Sequence, residues 1–122
     1  MTSMLNSPSL YDLSHLIAIS RGNQAFVKKM VDVFCDQTPT TLAAMIAAYQ
    51  ASDLLRMAEM AHRIKPSIDN LKVVSLKQVI RDIEKMGAGE MPVHNLPEAL
   101  IETKNVINQI IEELKQAFPS TQ

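Results

Sequence analysis

The chain has 122 residues, 47% apolar and only 4% aromatic, with eight Met and no Trp; this is one domain's worth of sequence, too short for two cores and too apolar for disorder. A formal net charge of −1 calls for neither nucleic acid nor an anionic membrane as partner. Three Gly and six Pro are few for a turn-rich all-β fold, and Cys35, the single cysteine, has no partner for an internal disulfide, which fits a reducing compartment.

Residues 1–10 (MTSMLNSPSL) lack a basic stretch and an apolar stretch, so no secretory signal is expected. The longest apolar run, LAAMIAA, falls far short of the ~20 residues a membrane span needs. These readings point to the cytoplasm. A short first helix is predicted from about Tyr11 to Ile19, ended by Arg21-Gly22-Asn23. Asn23 then caps a long helix over Gln24–Gln50. Its apolar positions Phe26, Val27, Met30, Phe34, Thr41, Leu42, Met45 and Tyr49 keep a helical period. Pro39 lies inside it, opposes the carbonyl of Cys35 and predicts a kink.

Ser52, as a hydroxyl cap, and Asp53, an acid near the positive end of the dipole, open a third helix that runs to about Leu71. Ser75 and Gln78 form a capping-box pattern for a helix ending near Met86, with Gly87 as its stop. The stretch GAGEMPVHN reads as a loop. Asn95, Pro97 and Glu98 open the last helix, with Leu100, Ile107, Ile110, Leu114 and Phe118 along one face. Four substantial helices with short connections predict an all-α fold: an antiparallel four-helix bundle whose short extra N-terminal helix closes one end. The expectation is one domain over residues 1–122, with its core at 11–117.

The segment AHRIKPSIDNL, residues 61–71, carries the chemistry. At helical spacing Met57, Met60, Ala61, Ile64, Ile68 and Leu71 gather on one side. His62 lies about 140° from the middle of that side and points outward near its edge. Lys65 follows one turn on, about 5–6 Å away between Cβ atoms. Ala58, one turn earlier, is small and leaves the imidazole uncovered. Periodicity takes the argument no further, since an exposed His beside a Lys is common.

AHRIKPS resembles the signature of histidine-containing phosphotransfer (HPt) domains, usually Ala-His-x-Leu/Ile-Lys-Gly-Ser, and the order and lengths of the helices agree with that family. The resemblance implies that His62 is a phosphoacceptor and that Lys65 helps stabilise the phosphoryl group. It implies a small polar position at Ser67. It also implies that Glu84, where relatives carry Gln or Glu, orients the histidine. Ala58, Pro66, Ser67 and Asp69 are then candidates for partner docking or local geometry. Two positions depart from the pattern. Pro66 replaces the usual Gly; it has no N–H for the His62 carbonyl and predicts a bend just after His62. Lys72 stands where a second Gly is usual.

The residue types suit the task. Phosphoryl transfer needs a nucleophile, in-line geometry and stabilisation of spreading negative charge. A neutral imidazole supplies the nucleophile. A carboxylate acceptor on one ring nitrogen would fix the tautomer that leaves the other free to attack, and Lys65 offers a mobile point charge. By the resemblance, the partners are response-regulator receiver domains and a hybrid histidine kinase. Mg²⁺ belongs to the receiver, this chain carries no cofactor, and the family default is a monomer. With no phosphate-cradling Gly loop, independent kinase activity is not expected. The opening Met and the polar tail FPSTQ read as the ends of a free-standing chain.

Ordinary roles compete at each position. Lys65 can simply solvate its helix, Glu84 can pair with Arg81 or Lys77, and Ser67 can bond back to a carbonyl. His15 and His94 have no ligand spacing with His62, so a metal site is not expected. Cys35 reads as a core or near-core thiol. The rival functions are a helical adaptor that binds receivers or kinases without transfer, and a small helical enzyme of unrelated chemistry.

Overall fold

The computed structural model describes residues 10–119. The reading of residues 1–10 as lacking a secretory signal falls outside this range for all but Leu10, and that of the FPSTQ tail for its last three residues. Among the described residues there are five helices: α1 Ser14–Ile19, α2 Gln24–Gln50, α3 Leu54–Asn70, α4 Val74–Ala88 and α5 Leu96–Ala117. The long helices contact one another in the ring order α2–α3–α4–α5–α2, and α1 packs against α2. The chain is the all-α bundle that the helical periods predict. None of these helices is long and apolar enough to cross a membrane.

The stripes facing inward meet in one buried cluster. It holds Val31, Phe34, Leu42 and Met45 from α2, Met57, Met60, Ala61, Ile64 and Ile68 from α3, Leu76, Ile80 and Ile83 from α4, and Leu100, Ile107, Ile110 and Leu114 from α5. The whole α3 stripe named from its spacing is buried. On α2 the stripe runs through Val31 and Thr38 instead of Phe26 and Thr41; Phe26 is exposed and Thr41 half-buried. The buried line of α2 follows the 3.6-residue period from Val27, and a neighbouring position lies about 100° off it. Cys35 is half-buried, and burial pushes its thiol pKa up.

The helix ends differ from expectation in an instructive way. Asn23 caps α2 as predicted, its side chain accepting from Phe26 N. Ser52 is not the cap of α3. It sits just past α2 with φ 63°, where Asp53 N bonds back to the Ala48 carbonyl at 2.8 Å and Ser52 N to Tyr49 at 3.0 Å. That is a Schellman closure, and the capping of α3 falls to Asp53, whose carboxylate accepts from Arg56 N. The end of α3 repeats the pattern: Val73 N bonds to the Ile68 carbonyl and Lys72 N to that of Asp69, with Lys72 at φ 51°. Lys72 therefore adopts the left-handed conformation that suits the Gly usual at this position.

Helix α4 starts at Val74 with no side-chain cap, so Ser75 and Gln78 form no capping box; Gln78 instead donates to Asp82. Asn95 likewise makes no side-chain cap for α5, while Pro97 occupies the first turn. The first helix begins at Ser14, where Asp12 accepts from its N–H. Both α2 and α3 continue as helix past Pro39 and Pro66.

Gly87 is the largest correction. It does not stop α4, which continues to Ala88 and ends at left-handed Gly89. Gly87 is buried where α4 crosses α3: a Cβ built there would stand 2.5 Å from the Leu54 carbonyl oxygen and 2.8 Å from Ala58 Cβ. The glycine lets the two backbones touch, and α3 and α4 make the most extensive helix contact in the molecule.

Candidate functional site

The close α3–α4 seam positions the sequence-marked residues. His62 projects from α3 with two thirds of its side chain exposed. Its Nδ1 lies 2.8 Å from Oε2 of Glu84 on α4. Lys65 reaches the same carboxylate, its Nζ 2.7 Å from Oε1. Twenty-two residues of chain separate His62 from Glu84, and the antiparallel return of α4 brings them side by side. Glu84 thus pairs with neither Arg81 nor Lys77, the ordinary partners open to it by spacing.

Both oxygens of Glu84 are engaged. The Lys65 ammonium, and then the His62 ring, hold its carboxyl below the usual range, against an opposing push from partial burial. An ionised carboxylate only accepts hydrogen bonds. The 2.8 Å contact therefore requires the proton on Nδ1, which in the neutral imidazole leaves Nε2 with its lone pair on an exposed ring. A nucleophilic nitrogen facing outward, with an anion behind the ring and a cation one turn away, can accept an electrophilic group from a partner's surface.

The remaining candidates divide. Pro66 is exposed on the turn after His62 and Ser67 is half-buried behind it. Ala58 is not open to a partner: it is 7% exposed and lies against Gly87. Its small size serves the approach of the helices. Asp69 is joined to Arg81, whose Nη2 stands 2.7 Å from Oδ2; this bond is the chief reason the Asp69 carboxyl is held below the usual range. His15 and His94 are exposed and outside the site. Among the described residues no group of three or more His, Cys, Asp or Glu could hold a metal ion.

Sequence reasoning missed Gly87 and the Asp69–Arg81 bond. The signal for the bond was present. Once Lys65 and Glu84 are paired across antiparallel helices, a step of about one turn along α3 from Lys65 to Asp69 is matched by a step of nearly one turn back along α4 from Glu84 to Arg81. For Gly87 the GAG spacing offered two glycines, and only packing separates the stop from the close approach.

This is a helical phosphocarrier's architecture: a bundle presenting one solvent-facing histidine backed by a carboxylate. The family model for the Hpt domain matches residues 29–117, and the chain belongs to that family, whose work is histidine phosphotransfer in two-component signalling. Comparison with curated proteins and with solved structures gives no match.

Proposed function

We propose that this chain is a phosphorelay intermediate, one domain that accepts a phosphoryl group on His62 from the aspartyl phosphate of a receiver domain and passes it to another receiver. A hybrid histidine kinase is the upstream source. The observation that carries the reading is the Nδ1–Glu84 bond, because it leaves Nε2 as the nitrogen free to attack.

In the forward step the Nε2 lone pair forms an N–P bond. The P–O bond to the aspartyl carboxyl breaks, and that carboxylate leaves with the electron pair. Nδ1 keeps its proton, so the phosphorylated ring carries a positive charge that the Glu84 carboxylate offsets. Lys65 meets the spreading negative charge on the phosphoryl oxygens by turning from Glu84 Oε1, a flexible ammonium being suited to two successive partners. The Mg²⁺ that assists the receiver's aspartate belongs to the receiver, and this chain acts in the cytoplasm as a monomeric carrier without kinase activity of its own.

The test is incubation with a receiver domain phosphorylated on aspartate, followed by mapping of acid-labile phosphate. His62→Gln takes up no label and keeps its helicity and melting temperature, since changes at exposed positions usually move stability by less than ~0.5 kcal/mol. Label on the variant, or on His15 or His94, overturns the assignment. A wild-type chain that binds the phosphorylated receiver but takes no label is the non-transferring adaptor instead.

A further inference from the structure

One turn along the α3–α4 seam from the Glu84 contacts lies the second inter-helix ion pair. Arg81 donates through Nη2 to Asp69 at 2.7 Å and through Nη1 to the Lys77 carbonyl at 3.0 Å, so the guanidinium is held from two sides. Both side chains are partly open to water, Arg81 29% exposed and Asp69 41%. Such a solvent-screened pair contributes little to stability, too little to explain a role as a tie between helices that already bury a continuous apolar seam.

Its location gives it a different meaning. On α3, Asp69 is four residues beyond Lys65; on α4, Arg81 is three before Glu84. Those spacings put each pair on one helix face within reach of each other. Across the seam, Lys65 bonds Glu84 and Arg81 bonds Asp69. The four charges form a square of alternating sign, and every member has two neighbours of opposite sign. Smaller pulls follow the same layout: Asp69 feels Lys77 and Lys65 besides Arg81, and Arg81 feels Glu84 besides Asp69.

We infer that Asp69 and Arg81 are positioning residues for the histidine site: by occupying one another they keep Glu84 for His62 and Lys65. Remove Asp69 and the guanidinium is released beside Glu84. Its fork of donors matches a carboxylate better than a single ammonium does, so it draws Oε1 and Oε2 away from Lys65 and from Nδ1–H. Remove Arg81 and the Asp69 carboxylate competes for Lys65; Lys77 can fill part of that gap, which makes Asp69→Asn the sharper perturbation. Remove both charges and no competitor remains. The inference rests on the phosphotransfer reading of His62 for its consequence, though not for its geometry.

Asp69→Asn, Arg81→Gln and the double variant are compared in two ways. Nitrogen-15 NMR of the His62 ring reads the share of Nδ1–H tautomer in the unphosphorylated chain. Phosphoramidate, a small N-phosphoryl donor, reads uptake with no protein partner. Asp69→Asn lowers the Nδ1–H share and slows uptake roughly three- to tenfold, the kinetic equivalent of about 0.7–1.4 kcal/mol. The double variant returns to within about twofold of wild type, the non-additivity expected of residues in one network. A plain structural tie has the opposite signature, the double variant being at least as impaired as either single one; that result, or an Asp69→Asn chain unchanged in both measurements, overturns the inference. If wild type takes no phosphate, the phosphotransfer reading falls while the tautomer comparison still decides the role of the pair.

Discussion

Replacing Gly87 by Ala tests the packing on which the site depends, and two known effects oppose one another in it. In an ordinary helix the change stabilises by about 1 kcal/mol, because Gly is the poorer helix former. Here the new methyl would stand 2.5 Å from the Leu54 carbonyl oxygen, 2.8 Å from Ala58 Cβ and 3.1 Å from Ala58 N. Carbon–oxygen and carbon–carbon contacts settle at about 3.3–4.0 Å, so relief needs a shift of the order of 1 Å. Two of the three atoms are backbone, and no side-chain rotation can clear them; α3 itself must move. Overpacking of this kind costs about 1–3 kcal/mol, and its upper half applies when backbone is the obstacle. The expected net result is a loss of about 1–2 kcal/mol in urea unfolding followed by circular dichroism. The site should suffer with the fold. Ala58 is one turn before His62 and Gly87 nearly one turn after Glu84, so spreading the helices stretches the 2.8 Å His62–Glu84 bond toward the ~3.2 Å limit of a good one, and phosphate uptake slows. Adding Ala58→Gly removes only the Cβ collision and recovers part of the loss. A Gly87→Ala chain as stable as wild type, or more so, refutes the argument.

Three further outcomes are expected. Lys65→Ala slows phosphate uptake by about tenfold or more while receiver affinity, measured by calorimetry, changes little, since a charge acting on the moving phosphoryl group appears in the rate; an equal loss of affinity with no change in rate makes Lys65 a docking residue. Glu84→Gln lowers stability at neutral pH, and the gap from wild type closes in acid. The Glu84 pKa is depressed in the folded chain, by Lys65 first and His62 next, so its contribution is fully present above the ordinary carboxylate range and disappears as pH falls through the depressed value; urea midpoints at pH 7 and pH 3 check the sign. Lys72→Gly stabilises by about 0.5–1 kcal/mol in the same unfolding assay, because it relieves about 1–2 kcal/mol of left-handed strain at φ 51° and gives back about 0.4–1 kcal/mol through the freer unfolded chain.

What could be read from the sequence was what a single helix determines. The buried stripe of α3, the outward position of His62 and the nearness of Lys65 follow from a fixed turn, and Asn23 follows from cap chemistry. The misread positions were punctuation. Ser52 is a good N-cap type placed one residue too early, and it serves as the left-handed closure of the preceding helix because Asp53 caps equally well. Gly87 and Gly89 both fit a helix stop, and local chemistry does not rank them; the contact with Leu54 and Ala58 does. Ala58, read as leaving the imidazole uncovered, also leaves room for α4.

The same distinction locates the function. His62 alone is an exposed imidazole, and nothing on α3 fixes which of its nitrogens holds the proton. That choice comes from Glu84, on another helix, and only because the backbones of α3 and α4 approach closely at Ala58 and Gly87. The two residues without side chains to speak of thereby govern the one that reacts. The cations and anions along the seam act at the next level: Lys65 and His62 share one carboxylate, and Arg81 with Asp69 stands where either, left alone, would contest it. A surface histidine becomes a directed nucleophile here through helix separation first and charge pairing second, so a variant that preserves every charged residue but widens the seam should still lose the tautomer.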